Sequence, residues 1–330
     1  MGKRTIGVLV TILILSMVVS IGCPGRVRKP APAPGPAANV PAIPDVINKG
    51  AGVEPELLVY DADKKKVVSM KMEDYIQGVV AAEMEPDWEV EALAAQAILA
   101  RTFTLAKIAD KGVLPNRQAH ASTNEEEFQA YDARKINNNV REAVKKTRGK
   151  VLVSNGQFIN AWFHAYSGGK TATAEEGLGY KEKPTPYIAV IDDTSLEKGV
   201  PPEERAWSAT VSMDEIRAAV KKATGKDPGK VDRIEITEKG PSGRATKLKI
   251  GDVEVSGPAF RLAIGSKDVK SMLIDEIKVA ADKATFRGRG FGHGVGMSQW
   301  GARVLAKQGK PADEIVSRYF KNVQLVTMWQ

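Results

Sequence analysis

The sequence predicts an α+β fold, in which helices and antiparallel β-hairpins are mixed around a cleft. Three observations predict it. Apolar residues recur at helical spacing in two long segments, 73–84 and 90–109. Short β-branched runs are joined by tight-turn dipeptides such as Asn155-Gly156 and Gly251-Asp252. The two kinds of segment also alternate without the regular strand–helix–strand beat of a parallel sheet.

Each element has a local reason. Leu57–Tyr60 and Lys66–Met70 are short β-like runs. In Glu73–Met84 the residues Tyr75, Ile76, Val79 and Val80 share a helical side, and Pro86 ends the pattern. Val90–Ala109 places Leu93, Ala97, Ala100 and Thr104 on one face, and its alanines favour both helix and close packing. A polar loop over Ser122–Glu127 leads to a helix near Asn138–Thr147, closed by Gly149. Lys150–Phe163 reads as a hairpin turning at Asn155-Gly156, whose residues tolerate positive φ. It runs into the glycine-rich bend His164–Gly169. Ser212 and Glu215 form a capping box for a helix Met213–Ala223 stopped by Gly225. Strands follow at Val231–Ile236, Ala245–Ile250 and Val253–Ser256, then a pair at Ser271–Val279 and Thr285–Gly296. Ser298 caps the helix Gln299–Lys307, and Pro311 opens a last helix to Phe320.

Outside this domain the N-terminus has a different composition. Lys3 and Arg4 precede an apolar run from Ile6 to Ile21, so residues 1–22 read as an export segment. Cys23, the only cysteine in 330 residues, follows at once; its placement resembles the lipobox of bacterial lipoproteins, where that cysteine is lipidated, with an uncleaved anchor as the alternative. Residues 23–50 are a Pro/Ala-rich tether. The domain is expected over 51–330, with 192–285 as a candidate inserted lobe. A net charge of +8 on an exported chain points to anionic wall polymers and lipid headgroups, and nucleic acid is not an expected partner.

Glycine occupies positions 288, 290, 292, 294 and 296, with Arg289, Phe291, His293 and Val295 between them. In an extended chain that alternation gives one bare and one dressed face, so another backbone or a ligand should lie on the bare one. The run fits no G-x-G-x-x-G register. Among carboxylates Glu83 stands out, because Val79, Val80, Ala81, Ala82 and Met84 surround it with apolar residues. Desolvation there would raise its pKa and keep it protonated near neutrality, as a general acid requires. An ordinary structural carboxylate is the equal alternative. His120, His164 and His293 lack metal-ligand spacing, and no G-x-S-x-G elbow is present.

Residues 74–84, Trp88 and residues 91–103 together resemble the first signature of the stage II sporulation protein D family, which includes proteins called amidase enhancers. Ser167–Thr171 with Pro186-Tyr187 resembles its central motif, and Gly288–Gln299 with Gly301-Ala302 its last. The likeness covers roughly residues 55–326. It implies a lytic transglycosylase acting on peptidoglycan glycan strands, especially peptide-stripped ones, during sporulation engulfment or wall remodelling. The family glutamate maps to Glu83, and Glu85 stands where the motif usually has proline. Gln96, Arg101, Arg289, His293 and Gln299 are then expected to orient sugar or N-acetyl groups, though Arg101 could equally be a buried ion-pair partner. Ser298 is a cap and not a catalytic residue. Some relatives carry a zinc-binding cysteine and histidine set; this chain has no cysteine there, so neither metal nor cofactor is expected. Implied partners are the membrane, a cell-wall amidase and other engulfment proteins. The competing expectation is a non-catalytic wall-binding enhancer of an N-acetylmuramoyl-L-alanine amidase.

Overall fold

The computed structural model describes residues 40–330. The export segment, Cys23 and most of the tether lie outside the described residues. Helix α1 (Met72–Glu83) and helix α2 (Val90–Lys111) form the centre of the larger of two main hydrophobic cores. α2 is long and apolar enough to cross a membrane, but 78% of its apolar window is buried inside the protein, as for a core helix. Its small alanine faces let α1, helix α3 (Asn138–Lys146), the helices Gln299–Lys307 and Ala312–Tyr319 and the strand Lys150–Ser154 all pack on it.

One buried ion pair fixes α1 to α2. The Arg101 guanidinium, 0% exposed, donates through Nε (3.1 Å) and Nη2 (2.6 Å) to the Glu73 carboxylate. Glu73 also accepts from the Gly149 N–H at 3.0 Å and from the Trp329 indole at 2.8 Å. Every strong donor around this carboxylate is internal, so Arg101 holds three segments together and has no face left for a sugar.

The second core surrounds Trp207, Ile216, Leu248, Phe260 and Phe286. Two antiparallel sheets frame it. In one, Lys283–Arg289 lies between Ile274–Val279 and Ala206–Ser212; in the other, Ala245–Ile250 lies between Val253–Ser256 and Ile234–Lys239. Helices Met213–Thr224 and Gly257–Ile264 complete it. The predicted capping box at Ser212 and Glu215 is present. Small antiparallel sheets and helices thus make an α+β fold.

Several elements differ from expectation. The strand predicted over Thr285–Gly296 ends at Arg289, because Gly290, Gly292, Gly294 and Gly296 all adopt positive φ. The hairpin does turn at Asn155-Gly156, but its second arm pairs only over Gln157–Phe158. Phe163–His164 instead pairs in parallel with Met297–Ser298. The strand Ala206–Ser212 and the helices Ala174–Leu178 and Gly257–Ile264 have no counterpart in the sequence reading.

The two cores are interlocked by buried polar groups. Arg244 donates from Nη1 to the Lys170 carbonyl (2.8 Å) and from Nη2 to the Ser167 carbonyl (2.7 Å), so the Ser167–Lys170 bend wraps around its guanidinium. Glu176, equally buried, accepts from the Ser242 N–H and hydroxyl and from the Arg244 N–H.

Candidate active site

Glu83 is the last residue of α1, where the chain turns extended at Met84. The segment after the polar loop lies directly on α1, because Gly78 leaves room for the Tyr131 ring; a Cβ there would stand 2.1 Å from it. Tyr131 stacks on Tyr75 at 5.7 Å, and the Asp132 N–H donates to the Gly78 carbonyl. This pinning brings the Ala130 N–H to 3.0 Å from the Glu83 carboxyl. Behind the residue, the Gln299 amide donates to the Glu83 main-chain carbonyl (3.0 Å) and weakly to Gln96 Oε1 (3.4 Å). The sequence signatures at residues 91–103 and 288–299 therefore meet at the end of α1.

Glu83 opens into a cleft of about 780 Å³ lined also by Phe103, Glu125, Trp162, Phe163, Leu262 and His293. The first core supplies one wall. The second core supplies the other, through the helix Gly257–Ile264 and the loop 265–268. Leu262 stands 67% exposed at its mouth. Desolvation is the largest influence on Glu83, and the Glu125 charge adds to it. Against the single Ala130 hydrogen bond, these push its pKa up to about 7. The carboxyl is thus poised to give and take a proton near neutrality.

His293 is held neutral, its pKa pushed down to about 3 by burial and by the nearby Arg261 and Arg244 cations. Its Nδ1 accepts from the Val295 N–H at 3.0 Å, so the proton of the neutral ring is on Nε2. His164 lies beside it, ring centroids 5.8 Å apart, with Nδ1 against the Val295 carbonyl. No group of three or more Cys, His, Asp or Glu residues stands in metal-binding geometry among the described residues. The histidine pair, tied to Val295, does not fit a zinc centre.

The alternating glycines are not a bare strand face awaiting a ligand. They form a ribbon on which the protein itself closes. At Gly294 (φ +84°) a Cβ would meet the Arg244 guanidinium at 2.4 Å, and at Gly296 (φ +73°) the Trp162 carbonyl at 2.0 Å. At Gly290, Gly292 and Gly296 the approaching segment is residues 162–168, so of the two expected occupants it is the protein's own backbone that lies there. The residues between the glycines go different ways. His293 reaches the cleft, whereas Arg289 pairs with Asp275 at 3.1 Å on an exposed edge and does not line it.

Of the residues expected to touch substrate, Glu83 and His293 line one cleft. Gln96 and Gln299 are buried behind Glu83, and Arg101 belongs to the core ion pair. Sequence reasoning missed Phe103, Trp162 and Leu262. Phe103 and Trp162 had a signal, one being the aromatic end of the first signature and the other an aromatic residue near the end of the hairpin run. Leu262 had none, since its helix was not foreseen. Glu85 is exposed, and its carbonyl accepts from the Trp88 N–H (3.0 Å), closing the turn in which the proline follows one position late.

The sequence profile of a family described as Stage II sporulation protein matches residues 60–153. A second, described as Domain of unknown function (DUF8618), matches residues 201–296, which take in most of the second core. The chain is 31% identical over 289 residues to Stage II sporulation protein D of Bacillus subtilis (strain 168), covering 81% of this chain and 78% of that one. An uncharacterized protein of Brachyspira hyodysenteriae (strain ATCC 49526 / WA1) is 32% identical over 261 residues, covering 79% and 68%. The Amidase enhancer of Bacillus subtilis (strain 168) is 28% identical over 296 residues, covering 76% of this chain and 40% of the enhancer.

Proposed function

Since this chain belongs to the stage II sporulation protein D family, with a sporulation-related role at the cell wall, we propose that it is a membrane-tethered lytic transglycosylase. Its substrate in this reading is the peptidoglycan glycan strand, with 1,6-anhydro-muramyl ends as products. One observation carries the reading: a carboxyl group with its pKa pushed up to about 7, opening into a cleft of about 780 Å³. Glycosidases that use water need two carboxyl groups, one on each side of the scissile bond. A transglycosylase needs only one. Protonated Glu83 gives its proton to the glycosidic oxygen as that C–O bond breaks. The resulting carboxylate takes the proton of the muramic acid C6 hydroxyl, whose oxygen closes on C1. The proton returns to Glu83 and no water is consumed. His293, Phe103 and Trp162 form the walls that position the ring.

Glu83→Gln keeps an acceptor for the Ala130 N–H but cannot transfer a proton. Removing a general acid costs about 10²- to 10⁴-fold. The variant should therefore bind stripped strands and release almost no anhydro-muramyl ends, measured by mass spectrometry of the soluble products. Products equal to those of the wild type would remove Glu83 from the mechanism. Absence of products from the wild type, even on stripped strands, would favour the second reading, an accessory protein that stimulates a wall amidase. The 28% identical relative named Amidase enhancer is the observation behind that alternative.

A further inference from the structure

The groove above Glu83 does not stop at its aromatic wall. Phe103 and Trp162 also line a second cavity of about 860 Å³, so the two cavities adjoin at these rings. The charge changes sign between them. The Glu83 end carries Glu125, Glu126 and Asp268 against the single lysine Lys267. Past Trp162 the cavity is lined by Lys107, Lys111, Lys181 and Lys183 against Asp110 and Glu182, with Lys107 and Lys111 one turn apart on α2.

These two lysines form no salt bridge among the described residues. Lys107 Nζ sits 4.8 Å over the Phe128 ring and 5.3 Å over Phe103, and donates to the Glu127 carbonyl at 2.8 Å. Burial and the neighbouring Lys111 charge both push its pKa down. Like charges at i, i+4 are unfavourable without an anion between them. Across the groove, Tyr180 meets Trp162 edge-on at 5.1 Å. Nearby, Lys183 reaches Asp110 at 2.7 Å; this pair is exposed on both sides, so it holds weakly and yields readily to a competing anion.

We propose that this second cavity is a subsite for a carboxylate-bearing amino sugar of the same strand, its free carboxylate received by Lys107 and Lys111 and its ring face by Trp162. The subsite rests on the reading of the chain as a glycan-binding protein. Aromatic rings shared with the Glu83 cleft suit a chain of sugar rings, whereas a polyol phosphate chain offers no ring faces to them. The lactyl group of muramic acid is a free carboxylate only where the peptide has been removed; a stem peptide turns it into a neutral amide. The lysines therefore supply a physical means of distinguishing stripped from peptide-bearing strands.

The test measures binding, so it does not depend on catalysis. Full-length Glu83→Gln protein is titrated calorimetrically with stripped glycan strands and with the same strands after conversion of their carboxylates to methyl amides. Neutralisation should weaken binding about ten-fold, the scale of one lost charge-assisted contact. Adding Lys107→Gln and Lys111→Gln should bring the ratio to about one, with the fold checked by circular dichroism. Lys111→Gln alone, at an exposed position, should shrink the ratio if Lys107→Gln disturbs packing. Equal affinity for charged and neutralised strands overturns the subsite, as does discrimination that survives in the double lysine variant. Tighter binding of a teichoic acid chain than of stripped strands also overturns it, in favour of a phosphate polymer. Carboxylate discrimination without anhydro-muramyl products from the wild type would retain the subsite and remove the catalytic reading; equal cleavage of both strand types would do the reverse.

Discussion

Glu83 holds its proton near neutrality because the water it has lost is replaced by one backbone N–H and by no cation. If it acts as the acid, kcat/KM should fall as pH rises through about 7, where the free enzyme loses that proton. Glu125→Gln removes a charge that raises the Glu83 pKa, so the same limb should move to lower pH; an unmoved limb would assign it to another group. Stability gives an independent check. The folded pKa is raised above the ordinary glutamate value of 4.5, so folding is unpenalised below that value. The cost grows as pH rises and is complete above about 7. Glu83→Gln should therefore stabilise the protein at pH 8 by about 1 kcal/mol, discounted for partial solvent access, and hardly at all at pH 4. Denaturant titrations at both pH values measure it. Apolar neighbours in sequence single out Glu83 among the carboxylates, but they leave a structural role as the equal alternative until the resemblance is added. For Gln96, Arg101 and Gln299 residue type gives polarity without direction. An arginine in the middle of a buried helix serves a sugar or a carboxylate equally well until its partner, Glu73, is placed 28 residues away.

Elements were legible wherever periodicity or an end signal marked them. α1 carries both, α2 carries the periodicity, and the last two helices, the Asn155-Gly156 turn and the Ser212 capping box carry the end signals. The helix Gly257–Ile264 escaped because Gly257-Pro258 reads as a turn, although proline is well suited to a first helical turn. The glycine run was misread for a related reason. Period two is also the period of a strand, and sequence does not say that every second residue here takes a positive φ. What the alternation secures is close approach. Gly294 combines φ +84° with a guanidinium 2.4 Å from where a Cβ would be, and the Arg244 guanidinium is held by Ser167 and Lys170, so it has no room to retreat. Gly294→Ala should therefore cost about 3 kcal/mol, well above the ordinary Gly-to-Ala effect. Gly309→Ala is the control, with φ +80° and nothing within 4 Å of its added Cβ, and should cost about 1 kcal/mol by conformation alone. Thermal melts of the pair separate crowding from backbone strain; equal losses would show that the ribbon is not crowded.

At the scale of the molecule, the cleft exists only where the two cores meet. Glu83, Phe103 and Trp162 come from one side, and Leu262 with the 265–268 loop from the other. Their relative placement depends on buried polar groups that cross between them. Arg244, in the turn that leads into the strand Ala245–Ile250, reaches the Ser167–Lys170 bend, and Ser242 reaches Glu176. Burial pushes the Arg244 pKa down to about 10, so the guanidinium stays charged at neutral pH and its carbonyl partners remain engaged. Arg244→Met fills similar space but leaves the Ser167 and Lys170 carbonyls without that donor and Glu176 without its nearby charge. Breaking a buried charged network of this kind costs about 3–5 kcal/mol. Because each core keeps its own apolar interior, the loss should fall on their junction. The wild type should melt in one calorimetric transition and Arg244→Met in two, the earlier one belonging to residues of the second core. Anhydro-muramyl release should vanish at temperatures above that first transition while α1 and α2 remain folded by far-ultraviolet dichroism. A single transition, lowered but undivided, would mean that the cores fold as one unit and that Arg244 contributes to global stability without governing the cleft.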